Sequence, residues 1–179
     1  MGLNKLDQLY RAVIMDHAQH PRNNQPLEHY THQTELLNPT CGDAIIVQCL
    51  IEEGCVKEVG FTGYGCSISM ASASMMTQAM KGQTLEKAQQ LINQFNEMIG
   101  GSPHEQGTLL DLIQRQALEE DLQDAALLEG VKKFPARYKC AILAWKALEV
   151  AVRQDQSSGI DGLTIGQNTQ TSQESEGSR

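Results

Sequence analysis

The sequence has no basic cluster of the kind that grips phosphate. Its 14 Lys and Arg are outnumbered by 22 Asp and Glu, for a formal charge of -8 and a pI near 5.1. Nucleic-acid binding rests on clustered cations that displace counterions, so this balance argues against a nucleic-acid partner. Long apolar runs are missing too. Stretches such as Ala44 to Val47 fall far short of the ~20 residues that a membrane helix requires. The N-terminus also lacks a basic region followed by an apolar stretch. A soluble, cytoplasmic protein with no membrane association is expected. A disulfide framework is absent as well: the five cysteines are odd in number and irregularly spaced. In a reducing compartment that usage suggests metal or thiol chemistry.

Three of those cysteines stand in particular settings. Asn38-Pro39-Thr40-Cys41-Gly42-Asp43 places a thiol and a carboxylate two residues apart in a turn marked by proline and glycine. Cys66 lies in Gly63-Tyr64-Gly65-Cys66-Ser67, and Cys140 ends Phe134-Pro135-Ala136-Arg137-Tyr138-Lys139-Cys140. Together Cys41, Asp43, Cys66 and Cys140 supply the four ligands of a closed tetrahedral zinc site. Spacing alone is weak support, since nothing here matches the paired Cys-x-x-Cys of a zinc ribbon. The local settings add to it, because each thiol sits beside a turn or helix start, where backbone N–H groups favour a thiolate. Such a donor set around Zn2+ would carry a charge of about -2 and call for nearby cations. Arg137 and Lys139 are placed to supply them, though an ordinary solvated face would look the same. Cys49 and Cys55 read as small apolar residues, and Met70, Met75, Met76 and Met80 as flexible core filling. His17 and His20 read as complements to a helix C-terminus or as a partner contact.

At 179 residues the chain can bury one core without disulfides. Leu3, Leu6, Tyr10, Val13, Ile14 and His17 recur at helical steps, with Asn4 and Asp7 as cap candidates, in a helix ending before Pro21. A short strand is expected around Glu35 to Asn38. Ala44–Ile51 and Val56–Tyr64 read as central strands joined by a hairpin turn at Glu52-Glu53-Gly54-Cys55. Ser67–Met80 reads as a helix of small residues and methionines. A further helix capped by Thr84 runs to Gly100-Gly101, and another spans Leu109–Glu120. Asp121 to Lys133 reads as a looser connection, and a last helix starts after Pro135 with Cys140 in its first turns. Strands followed by helices predict an α+β domain over 1–155: a small antiparallel sheet of about three strands with helices packed on one face. The polar composition of 156–179 predicts a disordered tail.

Four blocks in order then resemble one family, the IscU-like iron-sulfur cluster assembly proteins, and within it the SufU branch. They are Asp16-His17 with Pro21-Arg22-Asn23, the segment Asn38–Asp43, the segment Gly63–Ser69 with Ala71-Ser72-Ala73-Ser74-Met75-Met76, and the segment Phe134–Ala141. The likeness spans residues 3 to 153. The scaffold pattern has a histidine immediately before its third cysteine, whereas this chain has Lys139 and no histidine after His104. The segment around Gly100 to Glu120 resembles the SufU insertion. The resemblance implies an IscU-like fold and a zinc protein that receives sulfur from a SufS-type cysteine desulfurase and passes it toward downstream iron-sulfur assembly proteins. It places Cys41, Asp43, Cys66 and Cys140 at the zinc-ligand positions and makes Cys41 the sulfur acceptor. Arg137 is expected to stabilise the anionic site, since a guanidinium stays charged. The alternative is a scaffold assembling a [2Fe-2S] cluster on the same cysteines, and a third reading has the metal merely stapling the fold. A lysine cannot stand in for histidine as a cluster ligand unless it loses its proton, which leans toward zinc.

Overall fold

The computed structural model describes residues 5–100 and 109–158. Helix α1 (Lys5–Gln19) precedes three strands, β1 (His32–Asn38), β2 (Asp43–Glu52) and β3 (Cys55–Tyr64). Helices α2 (Ser67–Met80), α3 (Leu85–Gly100) and α4 (Leu109–Leu122) follow, then a 3-10 stretch (Gln123–Lys133) and α5 (Pro135–Ser158). The strands pair antiparallel in the order β1-β2-β3. This is the expected α+β architecture.

The sheet follows from turn chemistry and a period of two. Between β2 and β3, Glu53 and Gly54 both take positive φ, 52° and 70°, the left-handed pair whose twist matches that of a hairpin. Along β2, Ile45, Val47, Cys49 and Ile51 are buried, while Ile46, Gln48 and Leu50 on the other face are only partly covered. The helices take the first face and the segment 20–31 lies on the second. There Leu27 N donates to Gln48 Oε1 at 2.8 Å. A Cβ on Gly60 would come within 2.8 Å of Gln25 O, so glycine lets that segment lie close.

The core forms between the sheet and helices α2, α3 and α5. Helix α2 is rich in Ala and Ser and is buried nearly all round. Met75, Met76 and Met80 fill the space beneath it, as expected of flexible side chains. Phe95 of α3 stacks on Trp145 of α5, with ring centroids 3.9 Å apart. Trp145 Nε1 donates to Ser72 Oγ at 3.0 Å, and Ser72 Oγ donates to Ala141 O at 2.6 Å. Helices α2 and α5 are thereby pinned together beside Cys140.

Several expectations change in detail. Strand β1 begins at His32, earlier than expected, because pairing with β2 carries its polar half from His32 opposite Cys49 onward. The connection expected to be loose is helical: α4 runs to Leu122 and the 3-10 stretch buries Ala125, Leu128 and Val131. Helix α5 begins on Pro135, whose fixed φ suits a first helical position. It runs to Ser158; the remainder of the expected tail, 159–179, lies outside the described residues, as do Leu3, Asn4 and Gly101. Among the described residues no helix is long and apolar enough to cross a membrane.

Candidate metal centre

Three element ends meet at one end of the sheet. Asn38 and Asp43 face each other as the last pair of the β1–β2 ladder, so Pro39 to Gly42 form the loop at the hairpin tip. Asn38 O accepts from Cys41 N at 3.2 Å and from Gly42 N at 2.9 Å. Gly42 closes the loop at φ +72°, where a side chain would be strained. This leaves Cys41 partly exposed and Asp43 buried.

Cys66 arrives from β3 through Gly63, whose φ of +121° places a would-be side chain against Ala44 O. It occupies the N-cap of α2 in extended conformation. Its backbone N donates to Asp43 Oδ1 at 2.9 Å, so the carboxylate also caps the helix. Cys140, in the second turn of α5, is fully buried.

The ligand atoms of Cys41, Asp43 and Cys140 all lie within 4.8 Å of one another. Cys140 Sγ donates to Cys41 Sγ at 3.1 Å. Ligands at zinc distances of about 2.0–2.3 Å in a tetrahedron stand about 3.3–3.8 Å apart, so small side-chain shifts suit this soft and hard donor set to the ion. Burial pushes the Cys140 thiol up, and hydrogen bonds with Cys41, Asp43 and Cys66 push it further. Cys66 therefore stands beside Cys140, outside the tight triad but fastened to Asp43 through its backbone.

Arg137 is exposed, with Nη1 4.0 Å from Cys41 Sγ. Its hydrogen bond with Cys140, then the charges of Cys66 and Cys41, hold the guanidinium more firmly protonated than usual. Lys139 is exposed, on the outer side of the helix turn that buries Cys140. Cys49 stays out of the site: it is buried in β2, and burial together with the charge of Asp155 pushes its thiol up to about 12. Such a thiol is inert.

Other polar residues matter that composition did not single out. Asn38 Nδ2 donates to Asp43 Oδ2 at 3.2 Å, and its five-residue separation from Asp43 in the same block was the available signal. Ser69 Oγ, in the first turn of α2, is buried with no hydrogen-bond partner among the described residues. Its position three residues after the N-cap could have drawn attention to it. His17 stands in the last turn of α1, as a complement to the helix C-terminus would, but it does not face outward to a partner. It is buried, with Nδ1 2.8 Å from Ser74 Oγ and Nε2 3.0 Å from Asp124 Oδ2. Arg22 N donates to the same Ser74 Oγ at 2.8 Å. Asn23 Nδ2 donates to Thr77 Oγ1 at 2.9 Å. The Asp-His and Pro-Arg-Asn blocks therefore fasten α1 and its following turn to α2.

An α+β domain that gathers thiols and a buried carboxylate at one end of its sheet has a donor set that could hold a metal ion. The chain belongs to the IscU-like family of iron-sulfur cluster assembly proteins: the model of the NifU-like N terminal domain matches residues 9–141. It is 44% identical over 151 residues to the zinc-dependent sulfurtransferase SufU of Bacillus subtilis, covering 84% of this chain and 94% of that protein. It is 40% identical over 154 residues to the iron-sulfur cluster assembly scaffold protein IscU of Streptococcus pyogenes, covering 86% and 89%. A crystal structure described as that of a hypothetical protein superposes with a TM-score of 0.70 at 38% identity, covering 82% of this chain and 98% of that one. The role of the chain is thus in iron-sulfur cluster assembly.

Proposed function

We propose that the protein is a zinc-dependent sulfurtransferase that accepts persulfide sulfur from a SufS-type cysteine desulfurase and passes it to downstream iron-sulfur assembly proteins. Cys41, Asp43, Cys66 and Cys140 would hold the zinc, which when bound keeps its thiolates deprotonated without redox chemistry of its own. The observation that carries the reading is the asymmetry of the donors. Cys140 and Asp43 are 0% and 2% exposed, whereas Cys41 rides a partly exposed hairpin loop with only Gly42 between it and β2. Cys66 is also partly exposed but is set at the N-cap of α2, so Cys41 is the thiol that a loop offers to a partner.

In the transfer, the Cys41 thiolate attacks the outer sulfur of the desulfurase persulfide. A new S–S bond forms on Cys41, the old S–S bond breaks, and the desulfurase cysteine leaves as a thiolate. Charge is conserved and no oxidant is needed. Arg137, facing Cys41 from the start of α5, offsets the negative charge carried first by the thiolate and then by the persulfide. Exposed Leu37, Tyr64 and Phe134 precede the three cysteine-bearing segments and offer apolar contact to a docking partner.

The scaffold reading draws on the 40% identity to the Streptococcus pyogenes protein. Exposed Lys139 before Cys140 speaks against it, since a solvated ammonium lacks the lone pair that a ligand needs. The test is metal analysis of the purified protein, desulfurase turnover with and without it, and sulfur mapping by peptide mass spectrometry. We expect about one zinc per chain, faster turnover, and persulfide on Cys41 that disappears in Cys41→Ser. An iron-bearing, coloured protein that leaves turnover unchanged would overturn the reading.

A further inference from the structure

We propose that Asn38 is a positioning residue that fixes two members of the donor set, Asp43 and Cys140, while Cys66 is set by the N-cap of α2 and Cys41 stays displaceable. The inference rests on the sulfurtransferase reading and concerns why one thiol of the set takes the sulfur. Asn38 is 3% exposed, and its single amide nitrogen reaches two buried acceptors, Asp43 Oδ2 at 3.2 Å and Cys140 Sγ at 3.5 Å. A primary amide has two N–H donors on that nitrogen, so one side chain can hold both. The backbone fixes where the amide stands, because Asn38 is the terminal ladder partner of Asp43.

Among the described residues Cys41 has no comparable tether. Its sulfur meets the thiol of Cys140 and the long exposed side chain of Arg137, while Asn38 reaches its loop only through backbone bonds to the main-chain N–H groups of Cys41 and Gly42. Partners that hydrogen-bond a metal's ligands set their orientation and commonly change metal affinity by about 10–100-fold when lost. A hydrogen bond to sulfur also lowers its nucleophilicity. Asn38 thus keeps Cys140 aimed and quiet while the neighbouring loop leaves Cys41 able to turn outward.

Asn38→Leu copies the branched shape of the side chain and removes both donors; Asn38→Ala removes the side chain altogether and serves if the leucine does not fit. We expect either folded variant to bind zinc about 10–100-fold more weakly in a chelator competition. We also expect desulfurase-delivered persulfide to appear on Cys140 as well as Cys41. A residue that only completes the strand end would lower the melting temperature of the metal-free protein and leave both measurements alone. Zinc affinity within about twofold of the parent in a folded variant, with persulfide still confined to Cys41, would overturn the assignment. Should the parent itself take no sulfur, the sulfurtransferase reading fails, and the zinc competition alone decides the role of Asn38.

Discussion

Gly65→Ala tests the geometry of the site without removing a ligand. A Cβ at this position would stand 2.9 Å from Asp43 Oδ1 and 3.0 Å from Ser69 Cβ, and closer still to Ser69 Oγ. The hydroxyl can yield cheaply, because among the described residues it has no hydrogen bond to lose. The carboxylate cannot. Reaching ordinary contact distance requires a shift of about half an ångström, and Asp43 is held by Cys66 N at 2.9 Å and Asn38 Nδ2 at 3.2 Å. The shift stretches the first bond beyond the usual range of about 2.7–3.2 Å. A hydrogen bond to a charged group contributes about 1.5–3 kcal/mol, and overpacking costs about 1–3 kcal/mol. Since the bond is weakened and not abolished, we expect a loss of about 2 kcal/mol, or about 4–8 °C in melting temperature for a chain of this size. Zinc affinity should fall about tenfold as the displaced carboxylate loses its aim. The assays are thermal unfolding of the metal-free protein and chelator competition of the loaded one. A variant that melts within about 1 °C of the parent and holds zinc as tightly would refute the claim that Gly65 keeps space for Asp43.

Arg137→Ala should slow sulfur uptake while leaving zinc stoichiometry intact, because the guanidinium faces the sulfurs from an exposed position and, among the described residues, holds no backbone group in place. Equal single-turnover rates for variant and parent, measured by the persulfide on Cys41, would remove its role. His17→Ala should destabilise the fold by about 2–3 kcal/mol in urea unfolding, from two lost hydrogen bonds and a small cavity. The figure is no larger because Ser74 Oγ keeps the Arg22 N–H and Asp124, 53% exposed, remains solvated. Its zinc affinity should match the parent's, and a selective loss of metal with unchanged stability would instead make His17 part of the site.

Much of the fold could be read because its boundaries are written in local chemistry. Thr84 Oγ accepts from Lys87 N at 3.2 Å, the cap expected of its hydroxyl, and the Glu53-Gly54 turn adopts the left-handed pair that its glycine suggests. The segment 123–133 was missed for a physical reason. Its buried residues Ala125, Leu128 and Val131 step by three, the period of a 3-10 helix, and the helical pattern sought has a period of 3.6. Asp124 of that segment meets His17 across 107 positions of sequence, and no local pattern announces such a pair. The ligand candidates were legible because each lies at the end of an element, where thiols and turn residues stand out. Asn38 was harder to read: its place in one block with Asp43 was a signal, but an asparagine before a proline reads as turn chemistry whether or not its amide holds a carboxylate and a sulfur.

The same arrangement explains why rigidity is unevenly shared around the site. Cys66 caps α2 and Cys140 lies in α5, and those helices are locked by the 2.6 Å bond from Ser72 to Ala141 O, one residue beyond Cys140. Shifting either helix as a body means straining that bond and the one from the Trp145 side chain to the same serine. The hairpin loop bearing Cys41 has its described backbone anchors within itself, at Asn38 O, so rotating its thiol leaves the helical core unbroken. Substitutions at Ser72 should therefore act on the helical half of the site and on stability together. Changes in the loop between Pro39 and Gly42 should alter sulfur uptake with little effect on the unfolding free energy, and a loop variant that lost both in proportion would contradict this division.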